Sequence, residues 1–324
     1  MSNNTKVLET NKAENKTTIY DLIIIGGGPA GLSAALYGAR GNISTLVLDK
    51  GLPGGELNNT EEVENYPGID EKTGPEIAEM MVEHAKRFGS QFQNLTTIYE
   101  ADLTAQPKVL KTDQGEFLGK SIVLATGSEH RKLGVPGEKE YAGKGVSYCA
   151  VCDGAFFKNK HVVVVGGGSA AVEEGNFLTR YANKVTLIHR RNTLRAEKII
   201  QERAMNNPKI EFIWNTVVEE IGGDPLGVTK VKLKNVKNDE MSELSCDGVF
   251  IYVGLEPNVE LFKNQISLDE GNRIITNDKL ETNISGVYAA GDVRVTPLRQ
   301  AVTAAADGSL AATQAITFLE SLEE

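Results

Sequence analysis

The amino-acid sequence predicts an α/β protein with two dinucleotide-binding folds, because one pattern occurs twice along its 324 residues. In each copy a short run of β-branched residues leads into a glycine-rich turn, a helix-like segment and a second β-rich run. The first copy covers residues 19–49 and the second covers residues 162–189. This order is typical of a Rossmann-like βαβ unit, so we expect two such domains.

The remaining elements follow from periodicity and from turn residues. In the first copy we predict strands at 19–25 and 44–49 around a helix at 32–40, and in the second, strands at 162–165 and 184–189 around a helix at 172–181. Elsewhere we predict helices at 74–88 and 298–322, a hairpin of strands 108–111 and 116–124, a second hairpin of strands 228–236 and 243–253, and a strand at 286–292.

Composition excludes several classes of protein. The length suits about two domains. Acidic residues number 44 against 34 basic ones, which gives a net charge of −10. Such a surface repels phosphate backbones, so we expect neither a nucleic-acid binder nor a protein of anionic membranes.

The termini and the cysteines predict a cytoplasmic location. The longest apolar stretch, 22–36, is interrupted by glycines and is too short to span a membrane. Residues 1–18 are polar and lack the apolar centre of a signal peptide, so we predict a disordered tail. Three cysteines, Cys149, Cys152 and Cys246, do not make a secreted disulfide framework.

The first glycine turn has the pattern Gly26-x-Gly28-x-x-Gly31. Its glycines permit a tight turn, close approach of the backbone to a pyrophosphate, and packing of helix on strand. Asp49 ends the next strand, where a carboxylate can accept ribose hydroxyls. The alternative is a glycine-rich turn without a ligand, but strand, helix and acid are all in place.

The second turn, Gly166-x-Gly168-x-x-Ala171, has no acid at the matching strand end. His189, Arg190, Arg191 and Arg195 follow that strand instead. Arginines bind a 2′-phosphate that an acid would repel, so this site should prefer NADPH to NADH. The alternative is a solvated basic turn. FAD is the natural ligand of the first site, since it exchanges electrons with NADPH.

Cys149 and Cys152 form a Cys-x-x-Cys motif followed by Asp153. Half of a zinc site and a pair of buried thiols are alternatives, but no second pair of ligands stands at zinc spacing. In a chain with few cysteines the motif favours a redox dithiol. Asp153 could move protons to and from the thiols, or could simply be a turn residue. Cys246 has the pattern of a buried small side chain.

Together these motifs resemble low-molecular-weight thioredoxin reductase over essentially the whole chain after residue 18. The resemblance rests on nine short segments: residues 26–31, 54–57, 63–68, 125–127, 149–154, 166–171, 189–191, 291–292 and 299–300. It implies an electron path from NADPH through FAD to the disulfide and on to thioredoxin, in a homodimer.

The resemblance also implies the domain plan and the site. An NADPH-binding domain with the dithiol, residues 131–258, is inserted in a discontinuous FAD-binding domain of residues 19–130 and 259–324. Cys152 is then the sulfur nearer the flavin. The expected cofactor-binding residues are Gly26, Gly28, Pro29, Ala30, Gly31, Asp49, Gly55, Glu56, Leu57, Asn65, Ala125, Thr126, Gly127, Gly166, Gly168, Ser169, Ala170, His189, Arg190, Arg191, Arg195, Gly291, Asp292, Arg299 and Gln300.

Three positions depart from the family pattern. Glu56 replaces a usual Gln near the flavin edge, Ala306 replaces a common Gly, and Ala155 stands where some members have a bulky aromatic beside the dithiol. The rival interpretations are a related flavin disulfide oxidoreductase that acts on another thioredoxin-like protein or a small dithiol, and a flavin-binding redox sensor. The retained arginines and dithiol favour the reductase.

Overall fold

The computed structural model describes residues 18–60, 62–70 and 72–322, so the predicted tail lies outside the described residues except for its last member. In chain order the strands are β1 (Ile19–Ile25), β2 (Thr45–Leu48), β3 (Gln91–Gln93), β4 (Ile98–Asp102), β5 (Lys108–Thr112), β6 (Gly115–Leu124), β7 (Ser128–His130), β8 (Val146–Ser147), β9 (His161–Gly166), β10 (Lys184–His189), β11 (Ile210–Trp214), β12 (Thr216–Asp224), β13 (Gly227–Asn235), β14 (Met241–Ser245), β15 (Gly248–Tyr252), β16 (Leu255–Pro257) and β17 (Val287–Ala289).

The α-helices are α1 (Pro29–Arg40), α2 (Gly74–Arg87), α3 (Ala150–Asp153), α4 (Ser169–Leu178), α5 (Lys198–Met205) and α6 (Ala301–Ser321). Short 3₁₀ helices cover Gly55–Asn59, Gly154–Phe157 and Gly291–Val293. No helix in the described ranges is long and apolar enough to cross a membrane.

The first sheet joins both ends of the chain. Its strands run in the order β3-β2-β1-β6-β5-β4, and β17 pairs with the far end of β6. The first half of β6 pairs with β5, where Gly119 faces Lys108, and its last residues pair in parallel with β17. This long strand therefore lies between β1 and β17, and the last residues of both, Ile25 and Ala289, pair with Leu124.

The second sheet contains the other βαβ unit. Its five strands run β11-β10-β9-β15-β8, all in parallel. A separate antiparallel sheet, β12-β13-β14, packs beside it. Two short strands connect the sheets: β7 follows β6, β16 follows β15, and the two pair with each other.

The parallel strands of both sheets are covered on both faces. In β1, Leu22 and Ile24 face one apolar core and Ile23 faces another. In β9, Val162 and Val164 likewise pack away from Val163 and Val165. Strands buried on two faces consist of continuous apolar residues, so these strands could be predicted from the sequence.

The prediction of a second hairpin was wrong in its second strand. The predicted strand 243–253 is two strands, because Cys246 and Asp247 separate β14 from β15. β14 is largely exposed and pairs with β13, whereas every residue of β15 is buried and the strand joins the parallel sheet. Three helices also begin directly after their N-caps, at Pro29, Ser169 and Ala301, rather than at residues 32, 172 and 298.

Candidate active site

The first glycine turn connects β1 to α1 in a conformation that only glycine fits. Gly26 has a φ of +101°, and a Cβ there would lie 2.3 Å from the Ala125 carbonyl oxygen. A Cβ on Gly31 would lie 1.8 Å from the Gly26 oxygen. Pro29 occupies the first helical position and Ala30 is buried behind it. The amide end of α1 is thus held at the sheet edge.

The middle glycine of each turn leaves open space. A Cβ on Gly28 would meet only Gly55 Cα, at 3.8 Å, and one on Gly168 would meet nothing within 4 Å. Open space at a helix N-terminus is where a pyrophosphate can approach backbone amides. The residues present therefore fit a dinucleotide at both turns.

Asp49 is anchored at the first turn. Its carboxylate accepts hydrogen bonds from the amides of Gly27 and Gly51, the latter at 2.7 Å. These bonds orient the carboxylate just after the end of β2, so close to the turn that a Cβ on Gly27 would lie 2.9 Å from Oδ2. This position suits an acceptor for ribose hydroxyls.

The segment of residues 291–300 brings four of the predicted cofactor-binding residues to the sheet edge where α1 begins. They are Gly291, Asp292, Arg299 and Gln300. A Cβ on Gly291 would lie 3.0 Å from Ala30 Cβ, so Asp292 follows directly beside α1. Burial raises the pKa of Asp292, and the charge of Arg299 opposes this rise. Gln300 Oε1 accepts a hydrogen bond from Asn65 Nδ2 at 3.1 Å, across 235 positions of sequence.

The short Gly55–Asn59 helix and the residues that follow β6 line the remaining side of the site at the first glycine turn. Leu57 is buried, while Glu56 Oε2 lies 3.8 Å from His130 Nε2. Gly127 has a φ of +61°. Thr126 Oγ1 donates to the Asn258 carbonyl at 2.8 Å, and Asn258 Nδ2 donates back to the Thr126 carbonyl. Asn258, which the sequence analysis missed, fixes the Ala125–Gly127 segment to β16.

The second turn has its own steric constraints. A Cβ on Gly166 would lie 2.4 Å from the Tyr252 carbonyl oxygen, and one on Gly167 would collide with the His189 ring. Ser169 and Ala170 begin α4. His189 is buried, and this burial lowers the pKa of its imidazole.

The three predicted arginines are exposed at this second turn. Arg190 and Arg191 follow β10 directly. The Arg195 amide donates to the Gly167 carbonyl at 2.7 Å, which joins the arginine segment to the glycine turn. The backbone of Arg195 is therefore fixed at Gly167, next to the open space at Gly168.

Cys149 and Cys152 form a disulfide with Cα atoms 5.3 Å apart. Cys149 caps α3, and the Cys152 amide donates to its sulfur at 3.1 Å. Cys152 Sγ lies 3.8 Å from Oδ1 of Asn59, at the end of the 3₁₀ helix that carries Glu56. Asp153 ends α3 and is half-buried. Cys246 is buried, and burial raises its pKa to about 12.

Tyr252 supports the disulfide turn and was also missed. Its hydroxyl oxygen accepts the Ala150 amide hydrogen bond at 2.9 Å, and burial raises the pKa of its phenol. The His130 ring packs edge-on against Tyr252, with 5.6 Å between ring centroids. A lone hydroxyl at the end of an otherwise apolar buried strand is the signal that could have revealed it.

An open cleft adjoins Asp153 and the residues that follow it. It has a volume of about 360 Å³ and is lined by Lys144, Asp153, Phe156 and Leu226 among others. Phe156 is 75 % exposed and Leu226 is 93 % exposed. Of the three departures from the family pattern, Ala155 is exposed next to this cleft, and Ala306 is exposed on α6.

Comparison with known proteins agrees with the family that the sequence motifs resemble. Residues 20–308 match the pyridine nucleotide-disulphide oxidoreductase family. The thioredoxin reductase of Bacillus subtilis is 50% identical over 306 residues, covering 94% of this chain and 96% of that protein. The thioredoxin reductase of Listeria innocua is 51% identical with the same coverage.

Two solved structures have similar sequence identity to this chain but differ in how well the whole chain superimposes on them. The Lactococcus lactis thioredoxin reductase in its FR conformation is 48% identical, covers 93% of this chain and 99% of its own, and has a TM-score of 0.91. The Streptococcus pyogenes enzyme is 46% identical and covers 94% and 99%, yet its TM-score is 0.62. With two glycine turns, a Cys-x-x-Cys disulfide and these relatives, the chain belongs to the pyridine nucleotide-disulphide oxidoreductase family, among its thioredoxin reductases.

Proposed function

We propose that this protein is an NADPH-dependent thioredoxin-disulfide reductase that uses FAD and the Cys149–Cys152 pair. The contact between Cys152 Sγ and Asn59 carries the proposal, because it sets the disulfide against the half of the molecule that contains the first glycine turn. FAD, when bound there, supplies two-electron transfer between a nicotinamide and a disulfide.

The position of each residue in the fold indicates its role. Gly28 and the N-terminus of α1 would hold the FAD pyrophosphate, and Asp49 its ribose. Asp292, Arg299 and Gln300 would lie along the flavin. Gly168 and the exposed arginines after β10 would hold NADPH. We expect Asp153 to move protons to and from the dithiol.

The overall reaction balances with these parts. NADPH supplies two electrons and one proton, solvent supplies a second proton, and one disulfide becomes two thiols. Exchange through a mixed disulfide then transfers this reduction to a partner protein. The cleft beside Asp153 would receive that partner, because its exposed Phe156 and Leu226 offer apolar surface next to the disulfide turn.

The same disulfide cannot face both the FAD-binding half and a partner protein. We therefore propose that residues 131–258 rotate as a rigid body about the β7 and β16 connectors. The two TM-scores support this, since a change in domain arrangement lowers the overall match without lowering sequence identity. A homodimer and a cytoplasmic location belong to the same proposal.

The experiment is a turnover assay with a panel of thioredoxin-like proteins. The purified protein should be yellow, with about one FAD per chain, and NADPH should bleach the flavin band. Cys149→Ser and Cys152→Ser should each abolish thioredoxin reduction yet leave flavin reduction by NADPH intact. Cys246→Ser should be nearly silent. Normal thioredoxin reduction by either active-site variant would exclude the relay.

A further inference from the structure

One carboxylate of α6 joins this helix to the turn that carries two of the predicted cofactor-binding residues. Asp307 Oδ2 accepts hydrogen bonds from the Gly291 amide at 3.1 Å and from Arg294 Nη1 at 3.3 Å. Arg294 also donates from Nε to Thr276 Oγ1 at 3.0 Å. We call Arg294 and Asp307 the turn-holding pair. It links α6 to the short Gly291–Val293 helix and to Thr276.

The turn-holding pair is largely withdrawn from solvent. The exposed fractions of its side chains are 15% for Arg294 and 20% for Asp307. The side chains of a surface pair such as Lys230 and Glu243 are 42% and 52% exposed. Water and salt screen a partly buried pair less than a surface pair, so its charges act more strongly on the groups around it.

The amide of Gly291 needs an acceptor from outside its own turn. Gly291 has a φ of +78°, and a Cβ there would lie 3.0 Å from Ala30 Cβ and 3.5 Å from Ala304 Cβ. The residue is therefore enclosed between α1 and α6, where an amide without a partner costs free energy. Asp307 supplies the acceptor. This bond fixes the direction in which the next residue, Asp292, leaves the turn.

The turn-holding pair also affects the charge around Asp292. Burial raises the pKa of the Asp292 carboxyl, and the charge of Arg299 opposes this rise. The charges of Glu56 and Asp307 add to the rise. Arg294 lies against Asp307 and offsets its negative charge, which favours the ionised form of Asp292. An ionised carboxylate accepts hydrogen bonds at both oxygens, whereas a protonated carboxyl uses one of them as a donor.

We infer that Arg294 and Asp307 are positioning residues for FAD. Asp307 holds the Gly291 turn so that Asp292 faces the bound cofactor. Arg294 balances the charge that Asp307 brings to that site. The inference rests on the proposed binding of FAD at the first glycine turn. All of these contacts lie within the FAD-binding half, so they do not depend on the orientation of residues 131–258.

The test measures how firmly the holoenzyme holds FAD over a series of pH values. Diluted protein is equilibrated and ultrafiltered, and the absorbance of the filtrate gives the released FAD and hence the dissociation constant. Asp307→Asn and Arg294→Gln should each weaken FAD binding at pH 7 roughly two- to tenfold, because each variant loses a hydrogen bond that holds the turn.

The pH profile distinguishes positioning from a general loss of stability. FAD affinity, taken relative to its value at pH 8, should fall as Asp292 becomes protonated. Arg294→Gln removes a positive charge, which raises the pKa of Asp292 and moves the midpoint of this fall roughly 0.3–1 pH unit higher. Asp307→Asn removes a negative charge and should move the midpoint lower by a similar amount. The double variant removes both charges, so its midpoint should lie near that of the parent.

Two further variants are controls. Arg294→Lys keeps the positive charge, so its midpoint should return to that of the parent. Arg273→Gln breaks an ion pair with Asp269 in the same C-terminal segment, where Nε and Nη2 lie 2.9 and 2.8 Å from Oδ2. This variant should hold FAD as firmly as the parent at every pH.

Unchanged FAD affinity in Asp307→Asn and Arg294→Gln would overturn the inference, as would midpoints that move in the same direction or an equal loss in Arg273→Gln. If Asp307→Asn fails to fold, Arg294→Gln and Arg294→Lys decide the matter. A parent protein that contains no FAD and cannot be reconstituted would overturn the proposed function, and this inference with it. A yellow parent with unaffected variants would overturn the inference alone.

Discussion

The exposed arginines after β10 should determine which nicotinamide cofactor is used. Each charge-assisted bond to a 2′-phosphate contributes about 1.5–3 kcal/mol, and exposure favours the lower limit. Two such bonds give a preference for NADPH on the order of 10². Arg190→Ala with Arg191→Ala should raise KM for NADPH by about that factor, with a smaller effect on kcat, because the contact is remote from the reacting atoms.

Steady-state kinetics with both cofactors would measure this effect. The variant's kinetics with NADH should barely change, and high salt should weaken the binding of NADPH more than that of NADH. A wild-type protein that uses NADH as well as NADPH would show that these arginines form a solvated turn.

Lys108 should destabilise the fold. Its side chain on β5 is fully buried, and its Nζ has no hydrogen-bond partner among the described residues. Burial lowers the pKa of this amine below its usual 10.5. An unpaired buried polar group costs about 1–3 kcal/mol, so Lys108→Met should raise the free energy of unfolding at pH 7 by a similar amount.

The pH dependence of this difference has a definite sign. Between the lowered pKa in the folded state and 10.5, the unfolded chain binds more protons, so the wild type gains stability as pH rises. The advantage of Lys108→Met should therefore shrink from pH 7 toward pH 10 in urea unfolding. Lys111→Met, an exposed lysine on the same strand, should have little effect. A less stable Lys108→Met protein would contradict the argument.

At the level of elements, the packing of α6 on α1 should control cofactor binding. Gly308 lets the two helices approach, since a Cβ there would lie 1.9 Å from the Ala30 carbonyl oxygen. Gly308→Ala should improve helix propensity yet push α6 away from the N-terminal turn of α1, at a cost of about 1–3 kcal/mol. We expect a lower melting temperature and a lower FAD content after purification.

The matched control lies on the exposed side of the same helix. Thr313→Ala changes an exposed residue of α6, so FAD content should stay at the wild-type level. If Gly308→Ala keeps a full complement of FAD and its melting temperature, close helix packing is not needed at the site.

For the whole molecule, the proposed rotation predicts that fixing the domains stops turnover. Glu64→Cys and Arg203→Cys, joined by a short bismaleimide in a Cys246→Ser background, would fix the two parts of the molecule in the arrangement that this structure has, since the two side chains meet in it. Thioredoxin-dependent consumption of NADPH should then fall more than tenfold, because hydride transfer needs reacting atoms roughly 3–3.5 Å apart and cannot share that position with the disulfide. Each single-cysteine variant, treated identically, should keep its activity. Unimpaired turnover of a fully crosslinked sample would refute the rotation.

Local constraints made much of this protein predictable from sequence. The two glycine turns are fixed by steric limits within a few residues, as the φ of +101° at Gly26 and the short contacts of Gly31 show. The disulfide joins residues three positions apart. Strands buried on both faces are continuous apolar runs. The predicted strand 243–253 was wrong because its two parts are equally β-prone, and only sheet pairing separates exposed β14 from buried β15.

The sequence by itself thus determined the two βαβ units, the pairing of Cys149 with Cys152 and the class of cofactors, since each depends on residues close together in the chain. The tertiary structure decided which distant side chains complete the site. Tyr252 meets Ala150 across 102 positions, Asn258 meets Thr126 across 132, and Arg203 meets Glu64 across 139. No local pattern encodes such contacts, because they arise only when separate sheets and helices pack together.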